Sequence, residues 1–298
     1  MSANTFLETA HRPWPGLMSG PDPPGQANGI PQNMDQEPPL PEVRSARELN
    51  SLVEVFTIED DGSHKFSRTT FAIKNRDDYV WYGEAPIRKM ALSSKDIMES
   101  LKFVPDVNLY PAPSTSITAI SMPVNVDGGV FIKGPKIGSY DLFEGTPSLP
   151  NLLLQEAEIM ERLRQSPHPN IIRYHGSVIK RGRIIGLVLD RHPRTLRNRV
   201  IHGSDYFNIE RCLDEIKSGV SYLHTLGLAH NDLTPDNIMV REEDTPIIID
   251  FGSCQPFGDN LITAGTPGWI DEDFTTSARQ HDEIAIGKLE AWLKEELG

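Results

Sequence analysis

Along this chain the spacing of apolar residues shifts from two to three and four, and that shift limits the folds open to it. From residue 50 to 83 apolar and polar residues alternate: LVEVFTI, a turn at EDDGSH, FSRTTFAI, then DYVWYG. A period of two is the pattern of half-buried strands, and Asp61-Gly62 suits a hairpin turn, so the stretch predicts a small antiparallel meander. Ser93 with Asp96 predicts a capping-box start for a short helix in SSKDIMESLKFV. A second strand-rich stretch covers 107–133, with VNLY, ITAISMPVNV, a turn at DGG and VFIK. Beyond it the spacing widens. Leu153, Ala157, Met160 and Leu163 share one helix face, Ile209, Leu213, Ile216, Val220 and Leu223 a second, and Ile286, Leu289 and Leu293 a third. Gly227 is placed to end the second of these helices. Between the first two, NIIRYHGSVIKRGRIIGLVLD reads as two strands around a turn at Lys180–Arg183, and DNIMV and PIIID read as two further short strands. Strands early and helices late predict an α+β fold in two lobes.

Composition narrows the function classes. The formal charge of −13 argues against a general nucleic-acid binder, which carries a basic face. No run approaches the roughly 18 apolar residues of a membrane helix. The start, MSANTFLETAHRPWPG, lacks a basic region followed by an apolar one, so no secretory signal is expected. Cys212 and Cys254 are too few for a disulfide framework, and a reducing, cytoplasmic setting is expected. Residues 1–44, rich in Pro, Gly, Asn and Gln, cannot bury enough apolar surface to offset their ordering entropy, and a disordered tail is expected there.

The chemistry-bearing residues lie at the edges of short strands. Asp232, Asn237 and Asp250 are separated by 5 and 13 residues. A carboxamide and a carboxylate brought together beside a hairpin make a hard-oxygen site suited to Mg²⁺. A further carboxylate nearby could accept a proton from a hydroxyl nucleophile.

These residues carry a resemblance to the eukaryotic protein kinases. HNDLTPDN resembles the H-x-D-L-x-x-x-N catalytic loop, and IIIDFGS the D-F-G magnesium motif. VFIK resembles the strand ending in the lysine that grips the ATP phosphates, here Lys133, and Glu156 resembles the helix glutamate that pairs with it. PHPNIIRYHG looks like the turn into the fourth strand of the small lobe. LVLDRH, 187–192, resembles the end of the fifth strand and the hinge, with Asp190 among the nucleotide-binding residues. GTPGW, 265–269, resembles the end of an activation segment, and Asp282 the aspartate that braces the catalytic loop from a central helix. The resemblance implies ATP and Mg²⁺ as cofactors, Asn237 and Asp250 as metal ligands, and Asp232 as the residue that orients and deprotonates the acceptor hydroxyl. His230 is expected to brace the loop without carrying a proton.

Five departures from the family pattern qualify these expectations. There is no G-x-G-x-x-G loop; YPAPSTS, 110–116, stands where a hairpin would fold over the phosphates, with the hydroxyls of Ser114, Thr115 and Ser116 as substitute donors. Phe131 occupies the position that lines the adenine slot and is expected to crowd it. Thr234 replaces a lysine that neutralises the transferring phosphate. A cation at ~4 Å and an effective dielectric of ~20 is worth about 4 kcal/mol, or up to about three orders of magnitude in rate. Asn231 replaces the arginine that receives a phosphate from the activation loop, which is expected to be constitutively shaped. Only 16 residues follow Asp282, so a shortened helical lobe is expected.

The expected architecture is a bilobal protein kinase-like α+β fold: a tail at 1–44, an accessory β-meander with a short helix at 45–103 packed on the kinase-like part, and a kinase-like domain at 104–298, with its N-lobe at 104–190 and C-lobe at 191–298. The expected function is transfer of the ATP γ-phosphate to a Ser or Thr hydroxyl of an unidentified protein, at a slow rate, with neither nucleic acid nor membrane as partner. Two alternatives are a pseudokinase that binds or scaffolds, and a phosphotransferase acting on small molecules.

Overall fold

The computed structural model describes residues 37–59, 61–121, 129–203, 205–263, 265–271 and 275–298. The tail expected at 1–44 therefore lies largely outside the described residues, as do most of the run ITAISMPVNV beyond Ser121 and Asp127-Gly128 of the DGG turn. The described chain divides into two compact units, one reaching Leu109 and taking in Lys136–Pro147, the other made of Tyr110–Pro135 and Ser148–Gly298. Among the described residues no helix is long and apolar enough to cross a membrane.

The first unit is the predicted meander with one strand more. Strands β1 (Ser51–Ile58), β2 (His64–Lys74), β3 (Val80–Ala85) and β4 (Lys102–Val104) form an antiparallel sheet in that order. At the first turn Gly62 has φ 80° and Asp61 accepts a hydrogen bond from the Ser63 amide. Helix α1 (Ser94–Ser100) starts with the expected reciprocal Ser93–Asp96 capping box. It covers one sheet face, burying Ile97 and Leu101 in a cluster with Phe71, Ile73 and Trp81. On the other face Tyr82 meets Tyr140 of a short helix, α2 (Tyr140–Phe143), at 5.1 Å between ring centroids. Both faces are thus covered at the centre of β2, and Thr69–Ile73 is buried without interruption. VNLY is not a strand: Pro105 removes a ladder donor, and Asp106–Asn108 winds into a 3₁₀ turn.

The second unit opens with a four-stranded sheet in the order β5-β7-β8-β6: β5 (Ala119–Ile120), β6 (Val130–Lys133), β7 (Tyr174–Lys180) and β8 (Arg183–Asp190). Helix α3 (Ser148–Arg164) lays Leu153, Ala157, Met160 and Leu163 against this sheet, all buried as their spacing predicts. The sheet order corrects the expectation for YPAPSTS. That loop leads into β5, which pairs in parallel with β7 at the edge opposite β6, so Ser114, Thr115 and Ser116 lie on the far side of the sheet from Lys133. The cause is a buried carboxylate: Glu161 accepts hydrogen bonds from the Thr118 amide at 2.6 Å, the Thr118 hydroxyl at 3.0 Å and the Tyr174 hydroxyl at 3.1 Å.

Next comes the helical part. Strand β9 (Arg194–Thr195) runs into α4 (Leu196–His202), a helix the apolar spacing does not announce, with the Thr195 hydroxyl accepting from the Asn198 amide at its start. Helix α5 (Ile209–Thr225) is capped by Asn208 and ends where Gly227 adopts φ 71°. Short strands β10 (Leu228–Ala229), β11 (Ile238–Val240), β12 (Pro246–Ile248) and β13 (Gln255–Pro256) carry the polar loops between them. Helix α6 (Arg279–Leu297) buries Ala285, Leu289 and Leu293 against α5, while Ile286 stays half-buried at the rim.

Gly176 is the tightest point of the sheet. Its φ is 142°, and a Cβ there would come within 2.7 Å of the Thr118 carbonyl oxygen and 2.8 Å of Ile120. Gly176→Ala is expected to detach β5 and lower stability by about 2 kcal/mol, as read by a lower urea midpoint of the second unit.

Candidate functional site

Three side chains from three elements of the second unit meet around one ammonium group. Strand β6 ends at Lys133, whose Nζ lies 2.6 Å from Glu156 Oε1 on α3 and 2.7 Å from Asp250 Oδ1. Burial alone would lower the Lys133 pKa, but the two carboxylates outweigh it and hold the ammonium well above the ordinary lysine value. Glu156 is buried and takes a second donor, the Phe251 amide, at 3.0 Å. That bond ties the glutamate to the residue beside Asp250. Asp250 itself has φ 59° and accepts from the Gly252 amide, a left-handed turn that an aspartate tolerates better than most residues.

The β11–β12 hairpin joins this triad to the catalytic-loop residues. Ile238 pairs with Ile248, so Asn237 stands opposite Ile249, whose amide donates to the Asn237 carbonyl at 3.0 Å. Asn237 turns its amide group toward Asp232, donating to the carbonyl at 2.8 Å and to Oδ2 at 3.0 Å. The other carboxylate oxygen of Asp232 accepts the Thr266 amide at 2.9 Å and the Thr266 hydroxyl at 2.7 Å. Burial pushes the Asp232 carboxyl above its usual range, against the Thr266 hydrogen bonds and the His230 ring, which pull it down.

A fully buried aspartate holds the loop from below. Asp282 accepts from the backbone amides of His230 and Asn231 and from the His224 ring, each at 2.9 Å. His230 packs edge-on against Phe251, and its Nε2 faces the Ile249 carbonyl at 2.9 Å, so its ring is used in bracing. Thr234 is buried and its hydroxyl accepts from the Asn237 amide, so it stabilises the loop and presents nothing to a ligand. Phe131 lies two residues before Lys133, hence on the same face of β6, and is 48% exposed. Asp190 ends β8 opposite Val130; its carboxylate is held by His175 at 2.6 Å, apart from the cluster around Lys133.

Two residues matter more than their sequence context suggested. Thr266, read in GTPGW and as an activation-loop residue open to phosphorylation, contacts Asp232 directly. Asn231, read as the loss of an arginine, is buried and joins several elements. The donor set also suits a small hard cation. Among the described residues no group of three His, Cys, Asp or Glu could cage a metal. Two oxygen donors, the Asn237 carboxamide and the Asp250 carboxylate, fit Mg²⁺, which completes its shell with phosphate oxygens and waters.

Residues 144–282 match the family model of the protein kinase domain. The chain is 31% identical over 138 residues to dual specificity testis-specific protein kinase 1 of Mus musculus, across 42% of this chain and 21% of that protein. It is 35% identical over 105 residues to the nitrogen permease reactivator protein of Saccharomyces cerevisiae, across 33% of this chain and 13% of the relative. Against the serine/threonine-protein kinase/endoribonuclease IRE1 of Hypocrea jecorina the figure is 31% over 128 residues, 36% of this chain and 10% of the relative. The chain thus spans about a fifth or less of the length of these relatives. Motif order, sheet-then-helix architecture and these matches agree, and together they support a protein kinase-like family for residues 144–282.

Proposed function

We propose that the second unit transfers the γ-phosphate of ATP to a protein hydroxyl of the Ser/Thr type. The observation that carries this reading is the meeting of Lys133, Glu156 and Asp250 in one ion-paired cluster, next to the Asp232–Asn237 pair. Phosphoryl transfer needs little covalent chemistry from a protein; it needs the phosphates gripped, charge neutralised and the acceptor aligned. Lys133, pinned by Glu156, is positioned to hold phosphate oxygens once Asp250 turns to a metal. Asn237 and Asp250 would hold Mg²⁺, which supplies neutralisation of the developing charge. Asp232 would orient the acceptor hydroxyl and take its proton. The Thr266 hydroxyl, 2.7 Å from Asp232 Oδ1, is the contact expected between that carboxylate and an aliphatic acceptor, and it favours Ser or Thr as substrate. Asp190, at the strand end opposite Val130, would line the base site through its backbone.

A second reading, a binding or scaffolding pseudokinase, is favoured by a different observation. Thr234 is turned into the loop, β6 is the end strand of its sheet among the described residues, and Phe131 stands exposed beside Lys133. Such a site holds phosphates with fewer donors.

The test is transfer of radiolabelled γ-phosphate from Mg·ATP to the chain itself and to a generic protein acceptor. Wild type is expected to become labelled, and Asp232→Asn and Lys133→Met to lose two to four orders of magnitude, roughly what a positioned base contributes. A folded wild type that binds Mg·ATP without transferring label would reverse the order of the two readings.

Asp232 also gives a pH prediction. Its folded-state pKa is raised, so its contribution to stability is complete below the ordinary carboxylate range and is lost as pH rises through the folded value. Asp232→Asn removes that ionisation. The Tm of Asp232→Asn minus that of wild type is therefore expected to increase from about pH 4 to about pH 7; a difference that shrinks over this range would contradict the burial argument.

A further inference from the structure

Asn231 is buried, adopts φ 62°, and uses both polar groups of its side chain. The two hydrogens of its side-chain amide are shared among three acceptors, the Ala229 carbonyl at 2.9 Å, the Ser253 carbonyl at 3.0 Å and the Ser277 hydroxyl at 3.0 Å. Its side-chain oxygen accepts from the Ala278 amide at 3.3 Å and the His281 ring at 2.9 Å. Ser253 and Ser277 are the two ends of the segment that carries Thr266, so one carboxamide fastens both ends of that segment to the catalytic loop.

The segment is also closed on itself. Asn260 bridges Thr276, the Gly258 amide donates to Ser277, the Ser277 amide to Asp259, and the Ser277 hydroxyl to Gln255. The Ser253 and Thr263 hydroxyls lie 2.9 Å apart. A buried carboxamide with all its groups paired is costly to disturb, because each group left alone keeps its desolvation penalty.

We propose that Asn231 is the positioning residue that keeps segment 253–278 attached in the unmodified chain, so that Thr266 stays against Asp232 without phosphorylation of the segment. Asn231 touches neither acceptor nor nucleotide and acts through Ser253, Ser277 and Thr266. The inference rests on the phosphotransfer reading for its consequence, a site always shaped for an acceptor. Its structural content is independent of turnover.

The experiment is amide hydrogen exchange on the full chain, before and after a broad-specificity phosphatase, followed at Thr266 and at the buried turns of α5. Phosphatase treatment is expected to leave Thr266 protection and any transfer rate unchanged. Asn231→Ala is expected to speed Thr266 exchange by at least about tenfold while α5 stays protected, and to raise the acceptor KM more than it lowers kcat. Ser277→Ala, which removes one tether, is expected to act in the same direction and serves if Asn231→Ala does not fold. Loss of Thr266 protection on dephosphorylation would overturn the proposal. So would a folded Asn231→Ala with Thr266 exchange within about twofold of wild type. Expected exchange without transfer in any variant would leave this proposal standing and sink the phosphotransfer reading.

Discussion

The second unit depends on a carboxylate that never meets water. Asp282 is fully buried on α6, and an ion in that position is tolerable only if its oxygens are paired. They are, by His224 of α5 and by two consecutive amides of the loop after β10. Two consecutive amides can point at one carboxylate only if the backbone turns sharply, and Asn231 supplies that turn with its left-handed φ. The turn aims Asp232 away from α6 toward Asn237 and Thr266. The position of the proposed base thus depends on a buried charge 50 residues further along the chain.

Charge at the site obeys the same logic. Glu156 and Asp250 are separated by 94 residues, and both place a carboxylate oxygen on the Lys133 ammonium. The lysine is held charged by the pair. Under the proposed reading, a phosphate arriving at Lys133 would compete with Asp250 for it, and a cation on Asp250 would relieve that competition.

Much of the fold was legible because it stems from periodicity. The faces of α3 and α5 are the faces that the spacing of Leu153, Ala157, Met160 and Leu163, and of Leu213, Ile216, Val220 and Leu223, picks out. The capping box at Ser93 and the turn at Gly62 are local chemistry and needed no tertiary information. What escaped is non-local. A two-residue strand such as β5 carries no pattern, and its edge was chosen by Glu161, 43 residues from Thr118. Helix α4 is short and its apolar residues, Leu196 and Val200, make a single contact stripe too brief to stand out from the loop. Within the candidate site, Lys133, Glu156, Asp232, Asn237 and Asp250 were each marked by motif order, whereas Thr266 was marked only as part of its segment, because its relation to Asp232 exists only in three dimensions.

Asn231 and Thr234 share a physical logic that motif comparison reads as loss. Both stand where the family pattern has a cation, and both are buried. A cation buried at either position would need an anion of its own. Instead each side chain hydrogen-bonds within the protein: Thr234 to the Asn237 amide, Asn231 to both ends of the segment bearing Thr266. Bonds of this kind are short-ranged and insensitive to ionic strength, whereas a cation acts at a distance and responds to phosphate. The loop therefore trades electrostatic reach for fixed geometry. That exchange would slow a reaction that needs charge neutralised, and it would suit a surface that needs only a constant shape.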